Sequence, residues 1–95
     1  VRLRYTAPAA AQLAAILDYI AGHSPEGARR VLLRIKKVER HIARFPRLGS
    51  PTLDPSLRAM LTLPYPYVIL YEERPEAVIV HHIRHTARER RSGRV

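Results

Sequence analysis

Apolar residues along this chain first alternate, then recur at helical spacing, and then alternate again. Val1, Leu3 and Tyr5 alternate with Arg2 and Arg4, which predicts a half-buried strand. Pro8 suits the first turn of a helix, and Leu13, Ile16, Leu17 and Ile20 follow at spacings of three and four. Gly22 reads as the stop of that helix. Ser24-Pro25-Glu26 reads as a second start, with Ser24 as N-cap, Pro25 at the first helical position and Glu26 near the positive end of the dipole. Val31, Ile35, Val38, Ile42 and Phe45 then mark an apolar stripe that Ala28 and Leu32 widen, until Pro46 ends it. So short a connection between two helices predicts an antiparallel hairpin.

Arg47 to Ser56 holds Gly49, Pro51 and Pro55 and reads as a loop. Three strand-like runs follow, over 57–63, 67–73 and 78–85. In the first, Leu57, Ala59, Leu61 and Leu63 alternate with Arg58, Met60 and Thr62. Pro64-Tyr65-Pro66 and Arg74-Pro75-Glu76 are the turns between the runs, so these strands are expected to form a meander of hairpins. The predicted class is α+β: an N-terminal strand, an antiparallel helical hairpin, then a three-stranded antiparallel meander, giving a small antiparallel sheet with the hairpin on one face. Ninety-five residues make one domain, 1–95, whose polar tail from about residue 86 to 95 reads as either a short helix or a frayed end.

Charge adds what periodicity does not. Seventeen Lys and Arg against eight Asp and Glu give a formal net charge of +9. A field of that sign draws polyanions or an acidic protein. One concentration lies on the polar face of the second helix, where Arg29, Arg30, Arg34, Lys36, Lys37, Arg40 and Arg44 face Glu39 alone. That face reads either as a polyanion contact or as the solvated side that any helical hairpin needs. The other is terminal: Arg84, Arg88, Arg90, Arg91 and Arg94 are balanced only by Glu89, and guanidinium groups at that density dock carboxylates or phosphates. The chain has no cysteine, which excludes disulfides and thiolate metal sites. It has no apolar run of membrane-spanning length and no signal-peptide layout near its start, so a soluble, cytoplasmic protein without membrane contact is expected.

The order of elements, together with particular phrases, resembles the RelE/ParE toxin superfamily, and in it the ParE branch. The phrases are Leu13-Ala14-Ala15-Ile16-Leu17-Asp18-Tyr19-Ile20, Ser24-Pro25-Glu26-Gly27-Ala28 and Arg44-Phe45-Pro46-Arg47-Leu48-Gly49. They continue with Leu57-Arg58, Tyr67-Val68-Ile69-Leu70-Tyr71 and Ile83-Arg84-His85-Thr86-Ala87-Arg88. The resemblance implies the toxin of a bacterial type II toxin–antitoxin system, held inactive in a hetero-oligomer with a cognate acidic antitoxin. ParE-like members inhibit DNA gyrase by binding. RelE-like members cut messenger RNA on the ribosome without a metal. The resemblance implies no cofactor.

The residues can be asked which activity they suit. Metal-free RNA cleavage needs a base, a cation for the developing phosphorane charge, and an acid for the leaving oxygen. In RelE an arginine precedes the apolar-apolar-Tyr phrase of the third strand, and Val68 stands there in this chain. RelE's lysines on the second strand have only Arg58 near them, its late tyrosine has no counterpart after Tyr71, and Arg88 alone matches its terminal arginine. An RNase reading would therefore rest on Arg58, His85 and Arg88, with His85 as acid. The alternative for His85 is a structural bond at a strand end, and for Arg58 a solvated strand position. Tyr71 reads either as a core ring or as a contact. As an antitoxin- or target-binding set the sequence offers Arg58, Tyr71, Arg84, His85, Arg88, Arg90 and Arg91. His81 and His85 would share a strand face, but four residues place them about 13 Å apart, too far to share one ion, so no metal site is expected.

Overall fold

A computed structural model describes residues 2–87. The elements are β1 (Arg2–Tyr5), α1 (Ala7–Ala21), α2 (Pro25–Arg44), a single 3-10 turn (Pro46–Leu48), β2 (Ser50–Pro51), β3 (Arg58–Leu61), β4 (Tyr67–Glu73) and β5 (Ala77–His85). The expected order of strand, helical hairpin and antiparallel meander is what the chain forms. Arg88, Arg90, Arg91 and Arg94 lie outside the described residues.

Both helices begin as their sequences dictate. Thr6 caps α1 by accepting from the Ala9 amide, and Ser24 caps α2 by accepting from the Gly27 amide. Each has proline in its first turn. The stripe of α2 buries Val31, Ile35, Val38 and Ile42 against Ile69, Tyr71, Val78, Val80 and Ile83 of the sheet, while Ala9 and Leu13 of α1 close the core.

Two features of the sheet depart from expectation. Its order is β1-β5-β4-β3-β2, with β1 parallel to β5 and every other pair antiparallel. The sheet is therefore mixed rather than antiparallel, because the hairpin carries the chain back before β5 arrives alongside β1. The loop over 47–56 also contributes β2, a two-residue strand paired to β3 through Ser50 and Ala59, and Pro51 and Arg58.

The run after the loop is also turned over. Strand pairing covers only Arg58–Leu61, and Met60, opposite Ile69, packs against the core. Leu61 and Leu63, expected inside, are exposed, while Thr62 is fully buried and bonds the Tyr65 and Tyr67 carbonyls through its hydroxyl. A buried hydroxyl is tolerated there because its bonding is complete.

β5 changes parity in mid-strand. Val80 pairs with Tyr71 and His82 with Leu70, which leaves His81 as the extra residue of a bulge. Val78 and Val80 therefore point into the core before the bulge, and Ile83 after it. His81 turns to the helix-free face, where its Nε2 lies 2.9 Å from Glu72 Oε1. His85 instead shares the helix-side face with Tyr67, so His81 and His85 are on opposite faces, contrary to the expectation from simple alternation.

Glu39 is a buried carboxylate on α2, 3% exposed, bonded by the Tyr5 hydroxyl and 3.6 Å from Lys36 Nζ. Burial pushes its pKa from the ordinary 4.5 up to about 7. The folded chain thus holds this proton more tightly than the unfolded chain. The associated stability is whole below about pH 4.5 and is lost as pH rises through about 7, an effect of up to ~3 kcal/mol. Glu39→Gln keeps an acceptor for Tyr5 without a charge. Thermal melts of the two proteins should agree near pH 5, and the variant should be the more stable at pH 8. Parallel pH profiles would refute this.

Candidate functional site

The helices cover one face of the sheet and leave the other open. On the open face the alternate residues of the strands are Arg2 and Arg4 of β1, Ile79, His82 and Arg84 of β5, Val68, Leu70 and Glu72 of β4, and Ala59 and Leu61 of β3. Basic groups thus stand at the β1 edge and along β5, and apolar side chains occupy the middle.

A groove of about 620 Å³ crosses this face, lined by Pro51, Thr52, Leu53, Asp54, Leu57, Leu70, His82 and Arg84. Leu57 and Leu70 are apolar lining on the sheet, and the segment before β3 forms the opposite bank. That bank is pinned by its own bonds. Thr52 Oγ1 accepts from the Asp54 amide and donates to the Leu57 carbonyl, and Asp54 Oδ1 accepts from both the amide and the hydroxyl of Ser56. Those two bonds hold the Asp54 carboxyl below its usual pKa. So fixed, the turn holds up Leu53, which is 70% exposed.

His82 is oriented from the side of the sheet. On the side away from β4, no strand accompanies β5 beyond Tyr5, and α1 lies along it instead. Gln12 of α1 accepts from the Ile83 amide at 2.9 Å, and its side-chain nitrogen lies 3.2 Å from His82 Nδ1. One glutamine therefore completes the sheet's bonding and sets the imidazole. Next to the groove, a second, apolar hollow of about 420 Å³ is lined by Leu61, Leu63, Pro64, Tyr65, Pro66, Val68 and Thr86. Val68 and Leu70 are themselves buried, and the exposed apolar surface is that of Leu53, Leu61 and Leu63; beside cationic side chains it fits a polypeptide carrying both apolar and acidic residues better than it fits a small metabolite.

The candidates named from sequence divide into three groups. Arg84 stands on the open face and lines the groove. Tyr71 is fully enclosed, and its hydroxyl donates to the Pro46 carbonyl at 2.7 Å and accepts from the Gly49 amide at 2.8 Å. Arg58 sits opposite Tyr71, and its guanidinium donates to the Gly49 carbonyl at 2.7 Å. Tyr71 and Arg58 thus hold the turn that leads from α2 into the sheet. His85 is exposed at the far end of β5, where its ring meets Tyr67 edge-on and its Nδ1 accepts from the Ala87 amide.

Arg58 and His85 are not brought together. Their partners on β4, Tyr71 and Tyr67, are four residues apart, which is about 13 Å along the strand, and β4 lies between them. A single reacting phosphate cannot touch both. Sequence reading passed over Gln12, Leu53 and His82 as contributors to the groove. The step of three from Val80 to Ile83 was the one available sign that His82 faces outward. Among the described residues, no group of three or more His, Asp or Glu side chains is placed to hold a metal ion.

Comparison with known proteins agrees with this architecture. The family model described as the ParE toxin of the type II toxin–antitoxin system, parDE, matches residues 3–90. Toxin RelE2 of Caulobacter vibrioides is 39% identical over 84 residues, which cover 88% of this chain and 93% of that protein. A solved structure described as a chromosomal ParDE TA system from P. aeruginosa superposes with a TM-score of 0.77, at 23% identity over 90% of this chain and 95% of the other.

Proposed function

Since the chain belongs to the ParE toxin family of type II toxin–antitoxin systems, we propose that it arrests growth by binding DNA gyrase and is neutralised when its cognate antitoxin covers the open face of the sheet. The separation of Arg58 from His85 is the observation that carries the choice of target. A nuclease built on Arg58, His85 and Arg88 would need its cation and its acid at one phosphate, whereas a binding protein needs no such convergence. The Tyr71 hydroxyl, which both donates and accepts within the fold, supports the same reading, as does the bond from Arg58 to the Gly49 carbonyl in the same turn.

The open face suits a neutralising partner. An extended segment with apolar residues would lie in the groove and the adjoining hollow, and its acidic residues would meet Arg84 and the arginines beyond residue 87. Such a segment orders on binding, so the cationic rim matters both for steering and for register.

The test is a supercoiling assay with purified toxin. Gyrase should lose supercoiling activity and accumulate cleaved DNA as toxin is added, and an equimolar amount of antitoxin should restore it. Gyrase that works normally at saturating toxin, together with A-site cuts in messenger RNA on translating ribosomes, would replace this reading with the nuclease one.

A further inference from the structure

Only one side of α2 is used by the core, where Val31, Ile35, Val38 and Ile42 face the sheet. Directly opposite them, Arg29, Leu33, Lys37, Arg40 and Arg44 recur at steps of four, four, three and four, and all five are exposed. This outer stripe runs ~22 Å at ~1.5 Å per residue, and it occupies an arc of about 80° on the helix. Four of its five members are cations.

No acid of the same helix answers these charges. Glu26 stands at the first turn and engages Arg30 at 3.4 Å. Glu39 is buried, bonded by the Tyr5 hydroxyl and 3.6 Å from Lys36. The other acids among the described residues are Asp18 on α1 and Asp54, Glu72, Glu73 and Glu76 on the sheet and its loops. Among the described residues, no carboxylate forms an ion pair with Arg29, Lys37, Arg40 or Arg44. The helix also holds no Ser, Thr, Asn or Gln from Pro25 to Arg44, so this face offers charge without the amides and hydroxyls that help to read base edges.

We propose that the outer face of α2 binds the phosphate backbone of duplex DNA without regard to sequence. The duplex carries one negative charge per ~1.7 Å of its axis, so a stripe of ~22 Å lies beside about a dozen of them. Lysine and arginine contacts of this kind position a protein on DNA without specifying a base. Other anionic partners fit less well. An acidic protein would need an apolar centre to the interface, and the stripe supplies Leu33 alone. A helix that lies on a membrane buries its apolar side in lipid, and here that side is packed on the sheet. Single strands stack their bases on aromatic rings, and none stands on the stripe; Phe45, just past the helix, lies against the Arg44 guanidinium. The groove is on the helix-free face of the sheet, so this surface stands apart from the antitoxin's proposed position, and the gyrase reading does not depend on it.

The experiment is fluorescence anisotropy of a labelled 20-base-pair DNA duplex with the full chain at several salt concentrations. A double variant of the stripe, Lys37→Gln with Arg40→Gln, is set against Arg2→Gln with Arg4→Gln on β1, which removes the same charge from exposed positions elsewhere. The stripe variant should bind the duplex at least tenfold more weakly at low salt. Its slope of log K against log salt should be shallower by about 0.9 for each cation removed. The β1 variant should stay within threefold of the parent with its slope unchanged, and Lys37→Arg with Arg40→Lys should bind within twofold. Duplexes of different sequence should bind alike, and a dT20 strand at least threefold more weakly. Circular dichroism and thermal melts check that each variant is folded. Equal losses in the two double variants would overturn the proposal, since the general field would then suffice. So would dT20 binding as tight as the duplex, or a stripe variant that loses binding to phosphatidylserine vesicles and keeps its affinity for the duplex.

Discussion

Gly49→Ala is expected to destabilise the fold by ~3 kcal/mol, measured as a shift of the urea unfolding midpoint followed by circular dichroism. The backbone at Gly49 is extended, with φ −71° and ψ 160°, so any residue could adopt it. Space is the obstacle. A Cβ there would lie 2.5 Å from the Tyr71 hydroxyl, 2.9 Å from its ring and 3.0 Å from the Ala59 carbonyl oxygen. Neither a backbone carbonyl nor a fully enclosed ring can give way cheaply, and overpacking of that kind costs ~1–3 kcal/mol. Any movement that relieves it also disturbs the bond from the Gly49 amide to Tyr71 and the bond from Arg58 to the Gly49 carbonyl, each worth ~1 kcal/mol. Tyr71→Phe leaves the Gly49 amide and the Pro46 carbonyl without their partner and should cost ~2 kcal/mol by the same reasoning. The double variant should lose less than the sum, because the hydroxyl is also the nearest obstacle to the new methyl group. A Gly49→Ala protein within ~0.5 kcal/mol of the parent would show that the turn can retreat, and that Tyr71 and Arg58 do not fix it.

Reversing charge at Arg84, Arg88 and Arg90 to glutamate together should raise the dissociation constant of the antitoxin complex by ~100-fold or more at low salt. Three lost attractions become three repulsions, and each ~1.4 kcal/mol of interface energy is a factor of ten. The complex of the variant should also be less sensitive to salt, since fewer opposite charges are left to screen. Reversing three exposed cations on the outer face of α2, Arg29, Lys37 and Arg40, changes the net charge equally and serves as the control. It should slow association by less than tenfold through the general field alone. Isothermal titration or surface-capture kinetics with the antitoxin would read both. Equal losses in the two triple variants would mean that net charge, not these particular arginines, recognises the partner.

Much of this architecture could be read from residue order, because local rules decided it. The cap at Ser24, the prolines at both helix starts and the stripe from Val31 to Ile42 act within a few residues of one another. What escaped depends on contacts distant in sequence. The parallel pairing of β1 with β5 joins residues about 75 apart, and nothing near Arg2 announces it. Leu61 and Leu63 looked like core and Thr62 like surface, because hydrophobicity alone was weighed; the Tyr65 and Tyr67 carbonyls that satisfy Thr62 come from the following turn and strand. The bulge at His81 inverted the faces of the last histidines, and an inversion of one residue moves every side chain after it. For the site, Arg84 was legible as a cation on the rim. Tyr71 and Arg58 stayed open in sequence, the first between core ring and contact and the second between contact and solvated strand position, and only the position of the Gly49 turn shows what they bond.

The strand that lies between β1 and β4 is the one made last among the strands described. Until residues 77–85 have emerged from the ribosome, β1 has no neighbour to pair with and the apolar stripe of α2 has only part of its sheet to rest on. Folding therefore waits for β5, as expected where long-range pairing completes the structure. A toxin with this topology is thus without the strand that joins β1 to β4, and without its finished core, until residue 85 has been made.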